Sequence, residues 1–132
     1  MQSQTAEKQT QLQPTNAQYL ELELLWLEQV IHARMALYFG QETGITSIFD
    51  IPAPDLPEET SIYAHFVNHY EMNVAERLVF LLALVPHLKP QLLDVFFQVN
   101  EPLRRGFTEF GGIKGQLHAG FIPTIETAIF LL

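Results

Sequence analysis

The sequence predicts a mainly α domain that changes character towards its end, on three observations. Apolar residues recur at helical spacing from Asn16 to Phe39, three prolines then interrupt the chain in IPAPDLPEE, and glycines punctuate the segment after Asn100. A spacing of three or four marks an amphipathic helix, whereas prolines and closely set glycines mark connectors and tight turns.

Met1 to Pro14 is rich in Gln, Thr and Ser with hardly an apolar residue. Burial there cannot offset the entropy of ordering, so residues 1–15 are expected to be a flexible leader. Residues 16–40 form a long N-terminal helix and its stop. Thr15 with Gln18 matches a capping box, and Gly40 suits a C-terminal cap. Leu20, Leu24, Leu27, Ile31, Met35 and Tyr38 make one apolar stripe, and Tyr19, Trp26, Val30, Ala33 and Leu37 a second. A helix with two apolar faces packs against two surfaces. One is its own domain; the other is a partner, a second copy of the chain, or more core.

Residues 41–60 read as a proline-rich connector, too apolar at Ile45, Ile48, Phe49 and Ile51 to be a loose linker. A helical cluster begins at Ser61, with Ile62, Phe66 and Tyr70 on one face. Asn73 and Glu76 form a capping-box pattern that opens a helix apolar nearly all round, the mark of a buried central helix, and Pro86 is expected to end it. Pro90 suits the first turn of a third helix, Lys89 to Val99. Phe107, Phe110, Gly111-Gly112, Gly115, Gly120, Phe121 and Ile122 then read as two short strands around a glycine-rich turn. Three short helices followed by a hairpin is the winged-helix order. The expected architecture is a winged-helix-like three-helix core over residues 61–132 with a β-hairpin wing from Gly106 to Ile122, preceded by the long helix. A helical bundle is the competing arrangement.

A closing helix follows. Thr124 is placed as its N-cap and Glu126 suits the positive end of its dipole. Its apolar run to Leu132 has no glycine, asparagine or basic stop. The chain is therefore expected to be the front part of a longer polypeptide.

Composition narrows the function classes. With 48% hydrophobic residues, 132 residues suit one domain. No apolar run approaches the ~20 residues that span a bilayer, and Met1 to Gln18 lacks the features of a secretory signal. There is no cysteine, so disulfides and thiolate chemistry are out; a cytoplasmic location is expected. Seven basic residues against fifteen acidic ones, a formal charge of −8, are poor equipment for neutralising phosphates.

Several motifs also resemble a family. The segments YAHFVNHYEMNVAERLVFLLALVPHLKPQLLDVFF, GFTEFGG and GFIPTIETAIFLL, most specifically Glu76-Arg77-Leu78, Pro90 to Asp94 and Phe107 to Gly112, resemble the N-terminal winged-helix-like domain of a group of bacterial AAA+ ATPases. Some of these are encoded beside contractile, phage-tail-like injection systems. The likeness runs from about Tyr19 to Leu132. It departs at Ile125, where the family's Pro-Thr-Gly-Glu-Thr carries glycine, so local backbone geometry should differ there. The resemblance implies a protein-interaction or substrate-recruiting domain, with an ATPase module using ATP and magnesium after Leu132, and a hexameric ring as the neighbour.

No catalytic or cofactor site is expected in the chain itself. A P-loop needs GxxxxGK followed by Ser or Thr; in Gly111-Gly112-Ile113-Lys114-Gly115 the lysine precedes the last glycine and no hydroxyl follows. Turn glycines with positive φ are the simpler reading. His65 and His69, four apart on a helix, can share a metal. They lack an intervening glutamate, and Glu71 reaches them only if the helix bends; they are weak candidates. Arg77 is read either as a partner anchor or, preferentially, as an ion-pair partner of Asp94 or Glu109. The third helix offers one lysine and an aspartate where a groove-reading helix wants several basic and amide side chains. Partner-binding candidates are Tyr19 and Trp26, as aromatic contacts, with Arg104, Arg105 and Lys114 around the wing. The alternatives are a DNA-binding winged-helix regulator and a self-associating structural domain, the latter a homo-oligomer through the long helix.

Overall fold

Helix α1, Asn16–Tyr38, is the spine of the molecule and has its core face on Leu24, Leu27, Ile31 and Met35. A computed structural model of the protein describes residues 16–57, 61–114 and 120–132. Thr15, and with it half of the expected capping box, lies outside the described residues. The chain is mainly helical. After α1 come a 3-10 turn Ile48–Asp50, α2 Ile62–His69, α3 Val74–Leu88, a 3-10 helix Pro90–Phe97, and α4 Ile125–Leu131.

Local chemistry accounts for most element ends. Ser61 caps α2 by accepting the Ala64 N–H at 3.0 Å, and Asn73 caps α3 by accepting the Glu76 N–H at 2.8 Å. Gly40, at φ 70°, closes α1, with its own N–H on Leu37 O and the Gln41 N–H on Ala36 O. The end of α2 repeats this wiring with Glu71 in the glycine position: φ is 50°, the Glu71 N–H reaches Asn68 O, and the Met72 N–H reaches Val67 O. A side chain there opposes the left-handed backbone. Glu71→Gly is therefore expected to raise stability by about 0.5–1 kcal/mol, read as a higher urea midpoint; a lower midpoint contradicts the strain.

The middle of the chain departs from expectation in two ways. Pro86 does not end α3; the helix runs on to Leu88, and the Lys89 N–H closes on Val85 O at 2.8 Å. A proline near the C-terminus removes one hydrogen bond without stopping the last turn. The segment expected as an α-helix from Lys89 to Val99 is 3-10 over Pro90–Phe97 and turns 104° from α3. Residues three apart eclipse in a 3-10 helix, which aligns buried Leu93 with buried Phe96.

Among the described residues, four two-residue strands form two antiparallel hairpins rather than one. In the first, β1 Val99–Asn100 pairs with β2 Arg105–Gly106; in the second, β3 Ile113–Lys114 pairs with β4 Phe121–Ile122. Of Phe107 and Phe110, both expected in a strand, the first precedes and the second ends a 3-10 turn at Thr108–Phe110 that drives Phe110 fully inside. Its ring meets those of Tyr38, Phe96, Phe107 and Phe130 at centroid distances of 4.8–5.7 Å. Edge-on and tilted geometries of this kind add to area burial, and here they lock the end of α1 to the 3-10 helix and α4.

Gly111 and Gly112 sit where this aromatic cluster meets α4, at φ 62° and 80°. A Cβ on Gly111 would fall 2.5 Å from the Glu126 Cβ, and one on Gly112 2.1 Å from the Phe121 ring. The Gly112 N–H donates to Thr124 Oγ1 at 2.9 Å, and the Thr124 N–H to Thr127 Oγ1 at 3.1 Å. Turn and α4 start are thus one hydrogen-bonded corner.

Candidate interaction site

The aromatic residues expected at the surface of α1 are inside. Trp26 is 2% exposed and Tyr19 6%, so neither offers a contact to a partner. The two stripes of α1 merge into one wide buried face, and the second is core. Between them lies a residue that the pattern did not single out, Glu23, which is fully buried.

Glu23 is the centre of a polar knot. The Tyr63 hydroxyl donates to its Oε2 at 2.8 Å, and Arg77 forms an ion pair with Oε1 and a second, longer contact of 3.4 Å to Oε2. Arg77 also donates to Pro54 O at 3.0 Å and lays its guanidinium over Trp26, 5.0 Å from the ring centroid. Burial first, then the Glu23 charge, pushes the Tyr63 phenol far above its ordinary range, so it stays a donor. The expected pairing of Arg77 with Asp94 or Glu109 is not made; its partner is 54 residues away in sequence, on α1. The knot ties α1, α2, α3 and the connector together. The available signal was a glutamate standing four after Tyr19 and three before Trp26 in an apolar stripe.

The other expected residues are separated from that interior. Arg104 and Arg105 are exposed on the first hairpin, Arg104 at a positive φ of 54°, and neither makes an ion pair among the described residues. Lys114 belongs by its backbone to β3 of the second hairpin; its side chain lies outside the described residues. His65 and His69 are exposed and stack at 5.8 Å. Among the described residues no group of three or more His, Asp or Glu is placed to hold a metal. No single described helix is long and apolar enough to cross a membrane.

The surface feature that the sequence reading missed is an apolar groove. α3 is not buried all round: Leu78, Leu81, Leu82 and Val85 face the core, while Val79 is 45% exposed and Ala83 is exposed. Two adjoining hollows of about 410 and 450 Å³ share Val79 and Ala83. Met72, Ala75, Glu76 and Phe80 complete the first, and Phe80 stacks on Phe66 at 5.3 Å. Ile125, Ile129 and Leu132 form a wall of the second. Ile125 and Ile129 are 72% and 69% exposed, on the side of α4 opposite its buried Thr127, Phe130 and Leu131. Exposed apolar side chains gathered this way mark interaction surfaces, whereas scattered ones do not.

No family model, no curated protein and no solved structure matches the chain.

Proposed function

We propose that the chain is a non-catalytic protein-interaction and substrate-recruiting domain from the N-terminal side of a AAA+ ATPase, built on a winged-helix-like core. In this reading α2, α3 and the 3-10 helix Pro90–Phe97 are the three helical segments, and the β3–β4 hairpin is the wing. The groove along α3 and α4 carries the proposal, because it exposes apolar side chains that a self-contained domain would cover. The motif resemblance around Glu76-Arg77-Leu78 and Phe107 to Gly112 supplies the parent class. The exposed positions of the 3-10 helix are Gln91, Asp94 and Phe97, with no basic side chain among them, which favours a protein over a nucleic-acid partner.

The mechanism is passive. The groove holds a segment of the client, Arg104 and Arg105 offer a second contact to acidic groups, and a neighbouring ring supplies force with ATP and magnesium. A cytoplasmic location accompanies this role. The coding frame beyond Leu132 tests the parent class: it should contain GxxxxGK[ST] within a few hundred residues. A stop immediately after Leu132, or a continuation without that loop, rules the ATPase out.

A further inference from the structure

The groove has one chemical character, and that character selects an occupant. Among the described residues thirteen line its two hollows, and of these Glu76 alone has an ionisable side chain. It stands near the start of α3, one turn from Met72, and Glu71 immediately precedes Met72, exposed and held at positive φ. The chain as a whole is at −8. The groove is thus an apolar trough with carboxylates near one end and, among the described residues, no lysine or arginine in its lining.

The dimensions of the two hollows favour a narrow occupant. From Ala75 to Ala83 the trough follows α3 for a little over two turns, roughly 12 Å, with Met72 just ahead of the helix. A stable contact between folded proteins takes about 20–30 residues a side, whereas the hollows themselves present thirteen described residues. A second copy would moreover bring another acidic molecule against the same acidic end. A short helix with an apolar stripe fits both length and width, since such helices dock through side chains at i, i+3 or i+4, and i+7.

We infer that the groove formed by the outer face of α3 and the exposed face of α4 docks a short amphipathic helix of a partner protein, apolar along one side and basic near the end that meets Glu76. This rests on the reading of the chain as a protein-interaction domain, and specifies its client. Val79 and Ala83 form the floor, Phe80 one wall, and Ile125 and Ile129 the other.

The test is fluorescence anisotropy with a labelled synthetic peptide of about 14 residues, leucines at every third or fourth position and lysines between, long enough to cover the trough. Two controls share its length: the same residues scrambled out of register, and a version with glutamate for lysine. The patterned peptide should bind at least about tenfold more tightly than either. Ala83→Arg and, independently, Val79→Lys place a charge on the exposed floor and should each weaken binding at least about tenfold. Glu76→Gln should weaken it about threefold and flatten the salt dependence, the scale of an exposed ion pair. Equal binding of patterned and scrambled peptides, or binding that survives both floor substitutions, overturns the inference. So does light scattering that shows a dimer abolished by Ala83→Arg, because a second copy would then own the groove. The coding frame beyond Leu132 is a separate readout: a nucleotide-binding loop there with no peptide binding here leaves the ATPase reading standing and removes only this client.

Discussion

Arg77→Met will cost about 3–5 kcal/mol of folding stability, although it removes a surface-compatible side chain and leaves an apolar one of similar length. The reason is what remains behind. Glu23 is fully buried, and without the guanidinium its carboxylate keeps only the Tyr63 hydroxyl as a described partner. An unpaired buried charge costs far more than a buried pair contributes. Pro54 O loses its donor, and the cation–π contact with Trp26 goes as well. Replacing the whole knot, with Glu23→Leu, Tyr63→Phe and Arg77→Met together, is expected to return most of the loss, since no charge is then stranded. Urea denaturation of the single, paired and triple variants decides the matter. A single Arg77→Met within about 1 kcal/mol of the parent protein would mean that the knot is not held as described.

Gly112→Ala is expected to cost about 2–4 kcal/mol, combining left-handed backbone strain with overpacking. The added Cβ would fall 2.1 Å from the Phe121 ring, and that ring is fixed by Phe96 at 5.1 Å and Phe97 at 5.5 Å. Moving it reopens the aromatic cluster that joins the 3-10 helix to the second hairpin. Gly44→Ala is the control, because it has no positive φ and nothing within 4 Å of its Cβ; it should be neutral or slightly stabilising. Thermal unfolding of the two variants in parallel is the measurement. Equal melting temperatures would show that the corner is looser than its contacts imply.

Both outcomes bear on how much of the molecule could be read in advance. Caps were legible at Asn73, Thr124 and Gly40, because each depends on atoms within a few residues of itself. The glycine pair was legible as a turn for the same reason; that it also clears space for Phe121 and Glu126 was not. Periodicity showed that α1 carries apolar residues on two sides, yet periodicity is silent about which side is covered. Tyr19 and Trp26 illustrate that limit: as exposed aromatics they would be contacts, and as 6% and 2% exposed ones they are core. α3 shows the converse. An all-round apolar helix reads as central, but the fold leaves Val79 and Ala83 on its outer side.

Arg77 marks a further boundary. The sequence points to Asp94 or Glu109 as its acid partner, whereas the fold supplies Glu23 from the spine helix. The 3-10 geometry of Pro90–Phe97 and the additional β1–β2 hairpin are likewise products of packing, since proline at the start and alternating large apolar residues suit either helix type.

By itself, the sequence determined the caps that open α2 and α3 and the glycine that closes α1, that the chain is mainly helical, and that Gly111 and Gly112 form a tight corner. Those properties follow from backbone conformation and hydrogen bonds that close within about four residues. Only the tertiary structure decided which apolar face is buried, which carboxylate neutralises Arg77, and where apolar side chains remain open as a groove. These depend on distances between segments as much as 96 residues apart, as between Arg34 and Phe130, and burial is a property of what lies across the gap, which no local pattern encodes.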